Sequence, residues 1–148
     1  MKVLIQRVKN SSVKINNEIY SSISAGLLIF LGVEKNDTQN EALWLVDKIL
    51  KLRIFEDENE KMNLSVTDIK GEILVVSQFT LAGSCKKGTR PSFDNAMPPK
   101  EAETLYEFFV SEMKKSGLNV QTGVFGAMMD VSLINDGPIT FMLEKEPA

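Results

Sequence analysis

Hydrophobic and polar positions along this chain first predict a series of strands. Residues 3–8 alternate partly between apolar and polar side chains and begin a strand. Two short apolar segments flank Asn16-Asn17, a dipeptide that tolerates the positive φ of a tight hairpin. Residues 26–33 (GLLIFLGV) are a continuous apolar run, so we expect a strand buried on both faces, and residues 71–79 (GEILVVSQF) predict a second buried strand.

Apolar residues at helical spacing predict two amphipathic helices. Asp37 can cap the first helix, which we expect to run to about Leu52. Its apolar face comprises Ala42, Leu43, Val46, Ile49 and Leu50. Pro98-Pro99 opens the second helix, and Gly117 follows its end. The inward stripe of the second helix comprises Leu105, Phe108, Phe109 and Met113.

The last third of the chain predicts the strands that complete the sheet. Residues 119–122, 127–134 and 139–143 have the composition of closing strands, which brings the total to roughly six to eight. No repeat or linker divides the chain, so we expect one domain over residues 1–148. The predicted fold is α/β, with a large mixed or barrel-like, antiparallel-rich sheet and two long helices. The pattern leaves the strand order open.

Composition restricts the possible chemistry more than it restricts the fold. The 148 residues include no histidine and one cysteine, Cys85. Ser-His-Asp and Cys-His catalysis, histidine metal triads, cysteine zinc sites and an internal disulfide are thereby excluded. If the chain is an enzyme, it works with backbone dipoles, hydroxyls, carboxylates, a borrowed cofactor or groups of the substrate itself.

Charge and hydropathy indicate where the protein works. The formal net charge is −3, so any contact with RNA has to come from a local patch rather than from the whole surface. Residues 1–7 hold too short an apolar run for a signal peptide, and no stretch approaches the roughly 20 apolar residues of a membrane span. We expect a cytoplasmic protein with no membrane partner.

Two segments offer polar chemistry. Ser77-Gln78-Phe79-Thr80 lies where a buried strand ends, and backbone N–H groups that leave a ladder there can form an oxyanion hole. An ordinary strand end with satisfied side chains gives the same pattern. Lys86, Lys87 and Arg90 place three cations in the irregular stretch 83–99, where they either contact phosphate or form a solvated loop.

Two further segments contain glycines among apolar residues. Residues 123–129, with Phe125 and Met129, either line an apolar pocket or fill the core. Residues 135–140 form a turn between apolar strands, and their Gly137-Pro138 pair is the kind of sequence in which cis peptides occur. A Gly-Pro pair is also common in ordinary turns without a cis peptide.

In combination, residues 77–81 (SQFTL) and 135–140 (NDGPIT) resemble the two signature motifs of the D-aminoacyl-tRNA deacylases. The resemblance extends over essentially the whole chain, through Arg7-Val8, residues 26–28, residues 87–93 and residues 125–127. Acidic Asp130 departs from the pattern, in which a polar and often basic residue follows the methionine.

The resemblance implies a homodimeric hydrolase that removes D-amino acids from tRNA and needs no metal or cofactor. The backbone N–H groups of Phe79 and Thr80 would stabilise the oxyanion, and the terminal ribose 2′-hydroxyl would help to activate water. Ser77 and Gln78 would shape the adenosine side of the pocket, and its wall would be formed by Phe125 and Met129.

The same resemblance implies that Gly137-Pro138 is a cis dipeptide that projects from one subunit into the active site of the other. Its backbone would reject L side chains and accept D-residues. Glycine has no side chain to reject, so glycyl-tRNA mischarged on an alanine tRNA is expected as a second substrate.

Two other functions stay open on the residues alone. A nucleic-acid-binding accessory protein without catalysis would use Lys86, Lys87 and Arg90. A small-metabolite hydrolase with a serine or threonine nucleophile would need a lysine base, because the chain has no histidine.

Overall fold

Eight strands and two α-helices follow one another along the computed structural model, which describes residues Met1–Ala148. The strands are β1 (Lys2–Ile15), β2 (Glu18–Ile23), β3 (Gly26–Gly32), β4 (Phe55–Glu56), β5 (Met62–Leu64), β6 (Glu72–Ser77), β7 (Val120–Thr122) and β8 (Asp130–Glu144). The helices are α1 (Gln39–Lys51) and α2 (Pro99–Lys114), and a short 3-10 helix (Phe79–Ala82) follows β6.

Strand β1 organises the main sheet because it pairs with three others. Its first half pairs antiparallel with β3 and its second half with β2, while β8 pairs antiparallel along nearly the whole opposite edge. Strands β3, β6 and β7 continue the sheet as parallel neighbours. Strands β4 and β5 form a separate two-stranded hairpin. The expected mixed, barrel-like sheet with two helices is confirmed.

Both faces of the central strands are buried, as the apolar runs predict. One face of β3 and β6 packs under α1 and α2 in a core of 22 buried residues that includes Ile29, Val75 and Phe109. The other face contributes Leu28 and Leu74 to a second core of six buried residues. The alternation of side chains along a strand divides these apolar runs between the two cores.

The start of β3 needs a glycine. A Cβ atom at Gly26 would lie 1.8 Å from the carbonyl oxygen of Glu72, because the two parallel strands approach closely there. Gly26 is therefore the residue of β3 that pairs with Glu72, the first residue of β6.

The hairpin prediction is confirmed, whereas the cap of α1 differs from the expectation. Asn16 and Asn17 have φ values of 52° and 65° between β1 and β2. The N-cap is Thr38, in a reciprocal capping box with Glu41. Asp37 is buried and instead binds the α-ammonium group of Met1 at 2.9 Å. Burial raises the pKa of Asp37.

The helix faces and the last strand also differ in detail. Leu43 is exposed and Leu45 buried on α1, and the buried face of α2 comprises Ala102, Tyr106, Phe109, Val110 and Met113. The two closing strands expected at 127–134 and 139–143 are one strand, β8, whose pairing with β1 is interrupted between Asn135 and Thr140. No helix is long and apolar enough to cross a membrane.

Candidate functional site

The carboxyl ends of three parallel strands meet at one edge of the sheet, a common location for binding sites in such sheets. Ser77, the last residue of β6, aligns with Leu31 near the end of β3. The segment after β7 begins at the same edge, since the N–H of Gly123 donates to the carbonyl oxygen of Val75 at 3.2 Å. Segments 77–80 and 123–129 therefore both begin at this edge.

The 3-10 helix after β6 presents free backbone donors. Its first N–H groups have no acceptor within the helix. Hydrogen bonds of the neighbouring turns use the N–H groups of Gln78, Leu81 and Gly83, but those of Phe79 and Thr80 donate to nothing. Both residues are exposed at the strand end, and neither N–H group is occupied by a hydrogen bond within the chain. Adjacent free N–H groups of this kind can stabilise an oxyanion.

The side chains beside these donors hold one another. The Gln78 side-chain amide donates a hydrogen bond to the hydroxyl of Thr80. The N–H of Gln78 donates to the carbonyl oxygen of Leu31 at 2.8 Å, which fixes the turn against β3. The Thr80 hydroxyl is thus engaged by an amide, a group that cannot take a proton from it at neutral pH. This arrangement does not activate Thr80 as a nucleophile.

An exposed aromatic pair borders the same turn. The rings of Phe79 and Phe93 lie 5.1 Å apart between centroids and are tilted by 57°. Phe79 and Phe93 are 57% and 40% exposed, whereas phenylalanine side chains are more often buried. From the sequence, Phe93 can be recognised only as part of the family resemblance in residues 87–93. A single phenylalanine in a loop shows neither helical nor strand periodicity.

A cavity of about 430 Å³ lies between α2 and the end of β7. Its walls include Tyr20, Tyr106 and Phe125, and the rings of Phe125 and Tyr106 pack at 46° with centroids 5.7 Å apart. Burial raises the pKa of Tyr106 to about 12, and its hydroxyl donates to the carbonyl oxygen of Val75 at 2.9 Å. Tyr106 therefore stays protonated at neutral pH and supports the strand rather than acting as a base. The inward stripe proposed for the second helix did not include it.

Met129 has a different environment from Phe125. It is half-buried and packs against the second core. A Cβ atom at Gly123 would lie 2.5 Å from its sulfur, so the missing side chain of Gly123 makes room for Met129. Asp130 is exposed and pairs with Lys14 in the ladder of β1 and β8.

The three cations Lys86, Lys87 and Arg90, here called the loop cations, lie on an exposed loop. None of them forms an ion pair with a carboxylate of the chain. The loop is closed by two hydrogen bonds between Ser84 and Ser92, at 2.7 and 2.8 Å. Unpaired cations on a closed loop are available to an anionic partner.

The segment of residues 136–139, here called the Gly-Pro excursion, leaves the ladder of β1 and β8. Its Gly137-Pro138 peptide bond is cis, and both residues are exposed. Buried Arg7 holds one end, because its Nε donates to the carbonyl oxygen of Asp136 at 3.0 Å and its Nη1 donates to that of Ile54 at 2.8 Å.

Within one chain the Gly-Pro excursion lies far from the 3-10 helix. It leaves β8 opposite Arg7, whereas the 3-10 helix follows β6, three strands away across β1 and β3. Three strand spacings correspond to about 14 Å, and the four residues from Val3 to Arg7 add about 14 Å along the strands. The structure thus places the start of segments 77–80 and 123–129 at one sheet edge and the Gly-Pro excursion elsewhere.

Comparison with known proteins gives one consistent family. Residues 4–144 match the family model described as D-Tyr-tRNA(Tyr) deacylase. A protein of Geotalea uraniireducens (strain Rf4) named D-aminoacyl-tRNA deacylase is 58% identical over 97% of this chain and 93% of its own length. One of the same name from Thermodesulfovibrio yellowstonii is 56% identical over 97% of this chain and 98% of its own.

Two solved structures share the fold. The structure titled c-Myc DNA Unwinding Element Binding Protein has a TM-score of 0.94 at 44% identity and covers 99% of this chain and 100% of its own. A structure described as a probable eukaryotic D-amino acid tRNA deacylase has a TM-score of 0.82 at 19% identity, covering 96% of this chain and 97% of its own. At that identity the second likeness concerns the fold alone.

Proposed function

The chain belongs to the D-Tyr-tRNA(Tyr) deacylase family of ester-bond hydrolases, and on this premise we propose that it hydrolyses D-aminoacyl-tRNA to free amino acid and tRNA. We extend the proposal to glycyl-tRNA mischarged on tRNA(Ala). The observation that carries it is the pair of free N–H groups at Phe79 and Thr80, exposed at a strand end in a chain without histidine. The proposed role is chirality proofreading in translation, which places the protein in the cytoplasm.

The proposed reaction is attack of water on the ester carbonyl of the charged tRNA. The carbonyl oxygen becomes negative in the tetrahedral intermediate and accepts hydrogen bonds from the Phe79 and Thr80 N–H groups. Because no side chain beside them is a free base, the ribose 2′-hydroxyl of the terminal adenosine assists removal of the water proton. Collapse breaks the ester bond, and the departing ribose oxygen takes up a proton. No metal or cofactor enters these steps.

The remaining site residues have binding roles in this proposal. Ser77 and Gln78 border the adenosine, and Phe125 and Met129 form the pocket wall. The loop cations contact tRNA phosphates, which agrees with their lack of carboxylate partners.

In this proposal the Gly-Pro excursion distinguishes D- from L-aminoacyl substrates. If the ester carbonyl is held by the 3-10 helix and the ammonium group by carbonyls of Gly137-Pro138, two substituents of the α-carbon are fixed. A D side chain then points to open space, and an L side chain points into the backbone of the turn. Glycine passes because it has no side chain.

The separation of the two elements within one chain supports a homodimer with cross-subunit sites. The Gly-Pro excursion lies three strands from the 3-10 helix of its own chain, and in this proposal a second copy supplies it. Strand β8 pairs only with β1 and exposes Ile134, Phe141 and Met142 at 52%, 40% and 52%. An apolar edge strand of this kind suits an isologous interface.

The function is tested by measuring release of D-tyrosine and of glycine from charged tRNA, with L-tyrosyl-tRNA as the control. We expect rapid release of D-tyrosine and glycine and retention of L-tyrosine. Equal release from D- and L-tyrosyl-tRNA, or release from neither, would contradict the proposal. A mechanism-based serine reagent should leave the enzyme unlabelled, whereas labelling would favour a hydroxyl nucleophile.

Complementation between two inactive variants tests the shared site. Phe79→Pro removes an oxyanion donor, and Gly137→Val alters the excursion. In a statistical mixture half of the dimers are mixed, and each mixed dimer has one intact site, so about one quarter of all sites should be active. Recovery of activity on mixing supports cross-subunit sites. Absence of recovery in verified mixed dimers places the site within one chain.

A second candidate function is nucleic-acid binding without hydrolysis. The loop cations and the 44%-identical relative titled as a DNA-unwinding-element-binding protein favour it. Binding of single-stranded DNA as tight as that of tRNA, together with no hydrolysis of D-tyrosyl-tRNA, would select this function over the first.

A further inference from the structure

Asn135, just before the Gly-Pro excursion, and Ile139, its last residue, are joined by a side chain and not by backbone pairing with β1. Gln6 pairs with Thr140 and Val8 with Asn135, so two steps along β1 face five steps along β8. The four residues in between have no partner on β1. Regular pairing resumes at Gln6 and Thr140 on one side and, after a second register shift, at Asn10 and Ile134 on the other.

Asn135 bridges the opening with its carboxamide. Its Oδ1 accepts a hydrogen bond from the N–H of Ile139 at 2.6 Å, and its Nδ2 donates to the carbonyl oxygen of the same residue at 3.0 Å. Ile139 thus uses both its N–H and its carbonyl oxygen in hydrogen bonds with one partner. Two residues that form a hydrogen-bonded pair in an antiparallel sheet are joined in the same way. The side chain thus substitutes for the strand residue that β1 does not provide.

The tip of the excursion is the Gly137-Pro138 pair. Its geometry depends on the contact between Asn135 and Ile139, because Ile139 packs directly against Gly137. Ile139 is buried, and a Cβ atom at Gly137 would lie 2.7 Å from its Cγ1. Gly137 has a φ of 143°, in the region that favours glycine. Arg7 holds the tip on the side of Asp136, and Asn135 holds it on the side of Ile139. The exposed Gly137-Pro138 pair is therefore fixed from both ends.

We propose that Asn135 is a positioning residue that sets how Gly137-Pro138 project and thereby the preference for D- over L-substrates. This inference rests on the proposed function, in which the Gly-Pro excursion rejects L side chains. The ladder on either side of the excursion and both cores are complete without the Asn135 amide, so its loss should alter selectivity before it alters stability.

Asn135→Asp is the sharpest variant because it changes only the chemistry of the bridge. The carboxylate still accepts from the N–H of Ile139, but an oxygen now faces the carbonyl oxygen that Asn135 Nδ2 reaches. We expect the ratio of kcat/KM for D- over L-tyrosyl-tRNA to fall about tenfold, the effect of one lost hydrogen bond. The change should appear in kcat and not in KM, because the loop cations, which are proposed to bind tRNA, lie on another loop.

Thr140→Val is the matched control. It removes the hydroxyl that Asn135 Nδ2 and Gln6 Nε2 also contact, at 3.0 and 3.3 Å, but leaves both bonds to Ile139. Its D-over-L ratio should equal that of the unmodified enzyme. A ratio that falls as far in Thr140→Val as in Asn135→Asp would overturn the specific role of the bridge.

The unmodified enzyme in the same assay separates the two possible failures. If it does not prefer the D-substrate, the proposed function fails. If it discriminates and a folded Asn135→Asp discriminates equally well, the positioning inference alone fails. Should Asn135→Asp not fold, Asn135→Ala decides by the same ratio. If neither variant folds, Asn135 is a determinant of the fold and the inference is overturned.

Discussion

The backbone N–H of Phe79 can be removed without moving any other donor. In Phe79→Pro the ring nitrogen carries no hydrogen, and the N–H that is lost makes no hydrogen bond within the chain. Residue 79 is the first of the 3-10 helix, the position at which proline is best tolerated. A proline disfavours helical backbone angles at the residue before it. Gln78, with φ −141° and ψ 83°, is not helical and is therefore compatible with a proline at position 79. The variant should therefore fold.

The matched variant is Phe79→Ala, which loses the same side chain and keeps the N–H. The contact with Phe93, with centroids 5.1 Å apart, disappears in both variants. Such an aromatic pair is worth about 0.5–1.5 kcal/mol, and this loss cancels when the two variants are compared. What remains is one oxyanion donor, whose removal typically costs about 10²–10³ in rate.

The assay is single-turnover hydrolysis of D-tyrosyl-tRNA at saturating enzyme, with the melting temperature as the folding control. We expect the single-turnover rate constant of Phe79→Pro to lie about 10²–10³-fold below that of Phe79→Ala, with similar tRNA affinity. Equal rates for two folded variants would remove the Phe79 N–H from the mechanism.

Four further outcomes follow from the same structure. Thr80→Ala should retain substantial activity, within about tenfold, because it loses one exposed hydrogen bond and no backbone donor; complete loss in a folded variant that binds tRNA would make the hydroxyl the nucleophile. A tRNA that ends in 2′-deoxyadenosine and is charged at the 3′ position should bind normally but turn over far more slowly, and unchanged single-turnover rates would exclude the 2′-hydroxyl. Replacing the loop cations by alanine should weaken tRNA binding and flatten its salt dependence by about 0.9 per lost duplex phosphate contact, and an unchanged slope would show a merely solvated loop. Hydrogen bonds from the Asn119 amide and the Ser24 N–H lower the pKa of Glu72, so its contribution to stability is present above the unfolded pKa of about 4.3 and lost as pH falls through the lower folded value; Glu72→Gln should destabilise the protein more at pH 7 than in acid, and equal shifts of the urea midpoint at both pH values would contradict this.

The sequence predicted the buried strands better than their boundaries and partners. Apolar runs identify β3 and β6 because both faces of these strands are covered, and Asn16-Asn17 marks a turn that few other residues permit. The cap of α1 was assigned to Asp37, one residue too early, because both Asp37 and Thr38 can cap a helix. Only the three-dimensional structure shows that Asp37 is engaged by the Met1 ammonium group.

The candidate site could be predicted in its parts but not in its assembly. Local motifs identify Phe79-Thr80 and Gly137-Pro138, because strand ends and glycine-proline turns have local signatures. Strand order determines that these elements lie far apart within one chain, and no local pattern encodes strand order. The bridge at Asn135 was missed for a related reason: an asparagine before a turn is common, and its partner Ile139 is known only from the register.

The pairing of β1 with β8 joins the two ends of the chain, since Lys2 lies opposite Glu144. A ribosome makes β1 before β8, so one edge of the fourteen-residue strand β1 stays without its partner until β8 has been made. Contacts this distant in sequence form slowly, and an unpaired strand edge invites aggregation. A nascent chain stalled before β8 would lack the Gly-Pro excursion and the closure of the sheet together. Selectivity and solubility would therefore be acquired in the same late step.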